Sequence, residues 1–165
     1  MKDVFRSLSL TALALSFSLG LSLSFSFTAA RAQGQPQPEL PLTDLYVGMH
    51  RLQTELAIDP RHRSIGMMWR QSMPENRAML FVFEDQAIHC FWMRNTLVPL
   101  SIAFLRDDGS IVNIRDMQPQ QDTQHCPEEP VRYALEVNQG WFDKRNIKPN
   151  HQVRDLPAAP ATGNR

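Results

Sequence analysis

"LSIAFLRDDGSIVNI", residues 100–114, decides the fold class. Successive residues of an extended chain face opposite ways, so Leu100, Ile102 and Phe104 share one face while Ser101, Ala103 and Leu105 share the other. Asp107-Asp108-Gly109 carries the turn chemistry of a hairpin, and "SIVNI" returns as its partner strand. The same period recurs in "VRYALEV", residues 131–137, with Val131, Tyr133, Leu135 and Val137 inward and Arg132, Ala134 and Glu136 on the second face. "AMLFVF", residues 78–83, is apolar on both faces and belongs at the centre of a sheet.

Working outward, Tyr46 to Ile58 contains a strand-length stretch that ends at Asp59-Pro60. An Asp at the N-cap and a Pro at the first helical position open a short helix, whose later part is expected to carry Ile65, Met67 and Met68. Gly66 inside it weakens the helix or lets another backbone approach closely. Ser72–Asn76 is a turn, and a Pro- and Gln-rich loop spans about Met117 to Pro130. Asn138-Gln139-Gly140 turns into a short helical piece around "WFDKR", and His151–Leu156 holds a last strand. Many short strands with one or two short helices predict a mostly β (α+β) domain, either a compact jelly-roll-like β-sandwich or a partly closed barrel.

The termini do not read as core. Residues 1–32 combine basic Lys2 and Arg6, a Leu- and Ser-rich apolar stretch and Ala30-Arg31-Ala32, the pattern of a secretory signal cleaved after Ala32; a retained anchor is the rival. Residues 33–44, which include "GQPQPELPL", are expected to be a flexible linker, and 156–165 a disordered tail. That leaves 45–155 as one domain of the size that holds one core. The chain has 17 Lys+Arg and 17 Asp+Glu; three of the basic and one of the acidic residues lie in 1–32, leaving 14 against 16. This balance gives no footprint for nucleic acid and no pull toward an anionic membrane. Localisation is expected to be periplasmic or secreted, without membrane insertion after cleavage; oligomeric state is not readable.

"RSIGMMWRQSMPENRAMLFVF", "CFWMRNTLVPLSIAF" and "YALEVNQGWFDKRNI" together resemble the DUF192 (UPF0127) family over about Leu45 to Val153. The resemblance implies a compact, mostly β, jelly-roll-like fold with short helices, and it carries no established activity. Ala78 stands where a glycine is usual, Ser101 where an aspartate is usual, and Asn146 where a glycine is usual. A hydroxyl at 101 neither ionises nor holds a divalent cation as a carboxylate does, which weakens any acid–base or metal role there.

Cys90 and Cys126 are the only cysteines, each preceded by a histidine, His89 and His125. An even count in an oxidising compartment favours a disulfide; free thiols or a zinc or copper site are the alternatives. Strand geometry sends His89 and Cys90 to opposite faces, which argues against one metal collecting both. Met67, Met68, Met73, Met79, Met93 and Met117 suit copper(I) chemically, but sit mostly in apolar-periodic segments where methionine is ordinary filler. No metal site and no cofactor is expected, and no nucleophile stands beside a base. The polar groups set among apolar ones remain: Arg63, Arg70, Trp92, Arg94, Asn95, Thr96, Glu136, Asn138 and Trp141. They form either a structural network, with Arg94 paired to Glu136, or a small pocket for a polar, anionic or sugar-like ligand walled by Trp69, Trp92 or Trp141. The leading expectation is an exported non-catalytic domain that binds such a ligand or an envelope component. An enzyme acting on envelope carbohydrate or peptide and an accessory partner of another exported protein are the alternatives.

Overall fold

A computed structural model describes residues 34–160. The expected signal segment and its expected cleavage point lie outside the described residues. Seven strands form one sheet in the order β5-β4-β6-β3-β2-β1-β7. They are β1 (Leu42–Val47), β2 (His50–Ala57), β3 (Arg77–Ala87), β4 (Leu100–Leu105), β5 (Ile111–Met117), β6 (Val131–Asn138) and β7 (Val153–Arg154). Helix α1 spans Pro60–Ile65.

The sheet curls until its two ends meet. Ser110 bridges Gln152, the Ile111 amide donates to the His151 carbonyl at 2.9 Å, and the Val153 amide donates to the Gly109 carbonyl at 2.8 Å. The result is the partly closed barrel among the expected arrangements. Inside it, residues from all seven strands, among them Leu45, Leu52, Leu80, Leu105, Ile111, Leu135 and Val153, meet Trp141, Phe142 and Ile147. A second apolar cluster lies on the outer face of β3, β4 and β6, where Met79, Phe81, Ile102, Phe104 and Ala134 meet Met67, Met93 and Val98. Both faces of the central strands are therefore buried, as "AMLFVF" predicted.

Tyr46–Ile58 is not one strand. It breaks at a two-residue turn, Gly48-Met49, with Val47 paired to His50 and Gly48 at φ 60°, the conformation such hairpin turns ask of glycine. β2 and β3 run parallel, Gln53 opposite Arg77, so a crossover is obligatory, and α1 supplies it. Asp59 caps α1 by accepting from the Arg61 amide at 2.7 Å. The helix ends a turn earlier than expected because Gly66, at φ 50°, terminates it; Met67 and Met68 fall in the turn that follows. A side chain at 66 would meet the Phe81 ring at 3.2 Å, so that position also sets how closely α1 approaches β3.

Both termini of the domain are better anchored than their composition suggests. β1 begins at Leu42 inside the expected linker, Leu40 is buried, and the Gln37 amide donates to the Gly66 carbonyl at 2.9 Å. In the expected tail, Leu156 and Ala159 pack on the barrel interior and the Tyr133 hydroxyl donates to the Pro157 carbonyl at 2.9 Å. A few well-placed side chains are enough to hold a Pro- and Gln-rich segment. Residues 161–165 lie outside the described residues.

Candidate functional site

After Ala87 the chain leaves the sheet and crosses its outer face as a strap. Cys90 is joined to Cys126 in a disulfide, Phe91 exchanges two 2.8 Å backbone hydrogen bonds with His125, and the Met93 amide donates to the Gln121 carbonyl at 2.9 Å. With both sulfurs bonded to each other, the thiol and metal alternatives for these residues fall away. Among the described residues no group of three or more His, Cys, Asp or Glu could hold a metal.

Between strap, helix and sheet lies a cavity of about 440 Å³. The sheet contributes Phe81, Phe83 and Glu136; α1 and its following turn contribute Arg63, Gly66, Met67 and Met68; the strap contributes Ile88, His89, Phe91, Trp92 and Thr96. Phe81 and Phe91 meet edge to face at 4.8 Å, and the imidazole of His89 lies flat on Phe83 at 3.6 Å. Ile88 and Trp92 are about half exposed and form an apolar rim.

Glu136 is the unusual member of this lining. It sits at the middle of β6, level with Met79 on β3 and Ile102 on β4, and is 4% exposed. No hydrogen bond or ion pair to its carboxyl occurs among the described residues. Burial alone pushes that carboxyl up from its ordinary 4.5 to about 8, so it is neutral at pH 7. Glu55, one rung further along the same face, shows the opposite arrangement. Burial pulls its carboxyl up too, but a bidentate Arg70 at 2.5 and 2.7 Å, the Leu40 amide at 2.9 Å and the charge of Arg77 outweigh it and hold the group below its ordinary value. One buried acid is fully partnered; the other opens onto a cavity.

Of the nine polar and aromatic residues offered from the sequence as a network or pocket, Arg63, Trp92, Thr96 and Glu136 line this cavity, and Arg70, Arg94, Asn95, Asn138 and Trp141 do not. Arg94 does not reach Glu136. The turn it begins puts Asn95 at φ 59° and sends Arg94 outward, where its Nε donates to Asp122 at 2.9 Å and its guanidinium stacks on Trp92 at 4.4 Å. The Arg-Asn-Thr step is thus a turn, closed by the Thr96 amide donating to the Met93 carbonyl at 3.0 Å. Arg70 is engaged by Glu55. Asn138 donates to the carbonyls of Met73 and Pro74 at 2.9 and 3.1 Å, and Trp141 is buried in the barrel interior. Phe81, Phe83, His89 and Phe91 were missed; their adjacency depends on the strap folding back over β3, which nothing in their spacing announces.

The resemblance is borne out. The profile of DUF192, described as "Uncharacterized ACR", matches residues 43–154. The chain belongs to the DUF192 family. Two crystal structures are similar to it. One is a protein of unknown function from Novosphingobium aromaticivorans DSM 12444, 30% identical, with a TM-score of 0.69 over 76% of this chain and 94% of that one. The other is described as a "putative transcription regulator" from Sinorhizobium meliloti 1021, 31% identical, with a TM-score of 0.67 over 72% of this chain and 96% of that one. No curated protein matches the chain. Two of the departures from the usual DUF192 pattern now have structural accounts. Asn146 takes the left-handed conformation that explains a glycine, at φ 53°. Ser101, 1% exposed, donates to Asp116 at 2.5 Å and accepts from the Gly140 amide at 2.8 Å, a structural bridge outside the cavity.

Proposed function

We propose that this DUF192 domain binds a small molecule in the cavity between strap and sheet, with the Glu136 carboxyl as its one specific polar contact. The observation that carries the reading is an unpartnered carboxyl, buried at the centre of a strand and open only to a cavity with aromatic and thioether walls. A buried polar group without a partner costs stability, and a ligand that satisfies it recovers that cost. An apolar concavity with one or two polar groups is the usual form of a small-molecule site. Of the polar, anionic or sugar-like ligands expected from the sequence, the anionic one loses support, because Arg70 and Arg94 are committed to Glu55 and Asp122 and the Arg63 Nη1 to the carbonyls of Ile58 and Val82.

Binding is preferred to catalysis on geometry. His89 shares the cavity with Glu136, but its Nε2 lies 3.2 Å from the Asp85 carbonyl and its ring is held against Phe83. The disulfide fits an oxidising compartment, which supports export with cleavage after Ala32. A thermal-shift screen of the purified protein and Glu136→Gln tests the site. Ligands that raise the melting temperature of the wild type more than that of the variant are expected; ligands that stabilise both equally would place binding elsewhere.

A further inference from the structure

Resting on that reading, we infer that the ligand presents a protonated amine to Glu136 and an aryl-sized apolar body to the rings around it. Each wall of the cavity favours this chemistry. Phe81, Phe83, Phe91 and Trp92 surround the cavity with aromatic rings, although His89 covers a face of Phe83 and Arg94 one of Trp92, and Met67 and Met68 bring polarizable sulfur; these walls tolerate an organic cation better than an anion. Phe83 already takes a cation, with the Arg63 guanidinium 5.0 Å from its centroid. A lone carboxylate is the natural counter-ion for an ammonium group, and no other carboxylate lines the cavity to compete for it.

The charged and titratable groups around Glu136 do not oppose this. On its own sheet it is flanked by apolar Met79 and Ile102. From α1, Arg63 is the only fixed cation in the lining, and its Nη1 donates to the carbonyls of Ile58 and Val82. From the strap, His89 is turned toward Asp85, and Thr96 offers only a hydroxyl. Burial is the sole influence resolved on the Glu136 carboxyl, so Arg63 does not already neutralise it.

The proton balance follows. The amine enters with its proton, the Glu136 carboxyl loses its own to solvent, and an ion pair forms in the cavity. Below pH 8 each binding event therefore releases one proton, and affinity rises about tenfold per pH unit toward that value.

Calorimetry with three indoles separates the possibilities: tryptamine (cationic), tryptophol (neutral) and indoleacetate (anionic). Tryptamine is expected to bind at least about tenfold more tightly than the other two at pH 8, a difference of one charge-assisted contact. At pH 6 it should release close to one proton, read from buffers of different ionisation enthalpy. Glu136→Gln should remove both the preference and the proton release. Trp92→Ala, at the half-exposed rim, should weaken binding several-fold and leave the proton count unchanged. Tryptophol or indoleacetate binding as tightly as tryptamine, with the Gln variant impaired, would overturn the amine inference and keep the cavity as a site. Failure of all three to bind, or tryptamine binding unchanged by Glu136→Gln, would overturn the site itself.

Discussion

Replacing Glu136 by Gln should change the protein's stability by less than about 1 kcal/mol at pH 5 and make it much more stable at pH 8. In the unfolded chain this carboxyl ionises near 4.5; in the native protein it ionises near 8. Between those values the folded state holds one proton more than the unfolded state, so stability falls as pH rises. The slope is about 1.4 kcal/mol per pH unit. Across the three and a half pH units between the two values the loss is about 5 kcal/mol, and about 3 kcal/mol of it has accrued by pH 7. Glutamine is neutral throughout and of similar volume, so it escapes the whole loss while keeping the shape of the site. The assay is urea unfolding of both proteins from pH 5 to 9, taking the difference at each pH. Every other titrating group, including His125 and Glu55, is common to both and cancels. Curves that lie within about 1 kcal/mol at pH 5 and diverge by several kcal/mol by pH 8 are expected. Parallel curves would mean that the carboxyl has an ordinary pKa and hence a partner or free water, and the reasoning would fail.

Three further outcomes follow from the same structure, and a fourth tests the export expected from the sequence. Arg70→Ala strands the buried Glu55 carboxylate and should cost about 3–5 kcal/mol by denaturant unfolding, with part of the loss recovered in Arg70→Ala/Glu55→Gln; a loss near zero would mean Glu55 is not buried as described. Arg94→Ala, which loses an exposed pair with Asp122 and a stack on half-exposed Trp92, should change the melting temperature little; a large drop would restore a buried partner for Arg94. Alkylation of non-reduced protein should label no cysteine, and reduction of the link across 36 residues should cost about 4 kcal/mol in the chain-entropy account, lowering the melting temperature; a doubly labelled mass would contradict the disulfide. N-terminal sequencing of protein from the envelope should begin at Gln33, and an intact Met1 in a membrane fraction would contradict export.

Strand periodicity carried most of the fold, because alternation in "LSIAFL" and "VRYALEV" is a local signal and the barrel keeps it. It carried less of the site, for a reason that Glu136 and Arg94 illustrate from opposite sides. Alternation assigns Glu136 to the second face of β6 but cannot say that α1 and the strap cover that face. Arg94 follows Phe91-Trp92-Met93 and reads as embedded, yet one residue at positive φ turns it out to Asp122. Whether a polar side chain is buried depends on what crosses over it, and such crossings are set by the parallel β2–α1–β3 connection and the disulfide rather than by neighbours in sequence. The hairpin within Tyr46–Ile58 was missed for a simpler reason: Gly48-Met49 lacks the Asn or Asp that usually marks a two-residue turn.

The position of Glu136 makes a ligand the economical explanation of its chemistry. β6 is paired on both sides, to β3 and β4, so a side chain at its centre has no sheet edge to reach and no solvent except through the cavity. An apolar residue there would extend the outer-face cluster and avoid the loss worked out above. Glu55, on the same face, shows that this fold can surround an acid with donors from Arg70 and the Leu40 amide and with the charge of Arg77. At Glu136 no donor among the described residues bonds the carboxyl, and the space is open. A ligand that brings a positive charge to that space binds the ionised form, and linkage then requires its own stabilising effect to grow with pH up to about 8. Under saturating ligand the fall in stability between pH 5 and 8 should therefore flatten, which turns the cost of the buried acid into the driving force for recognition.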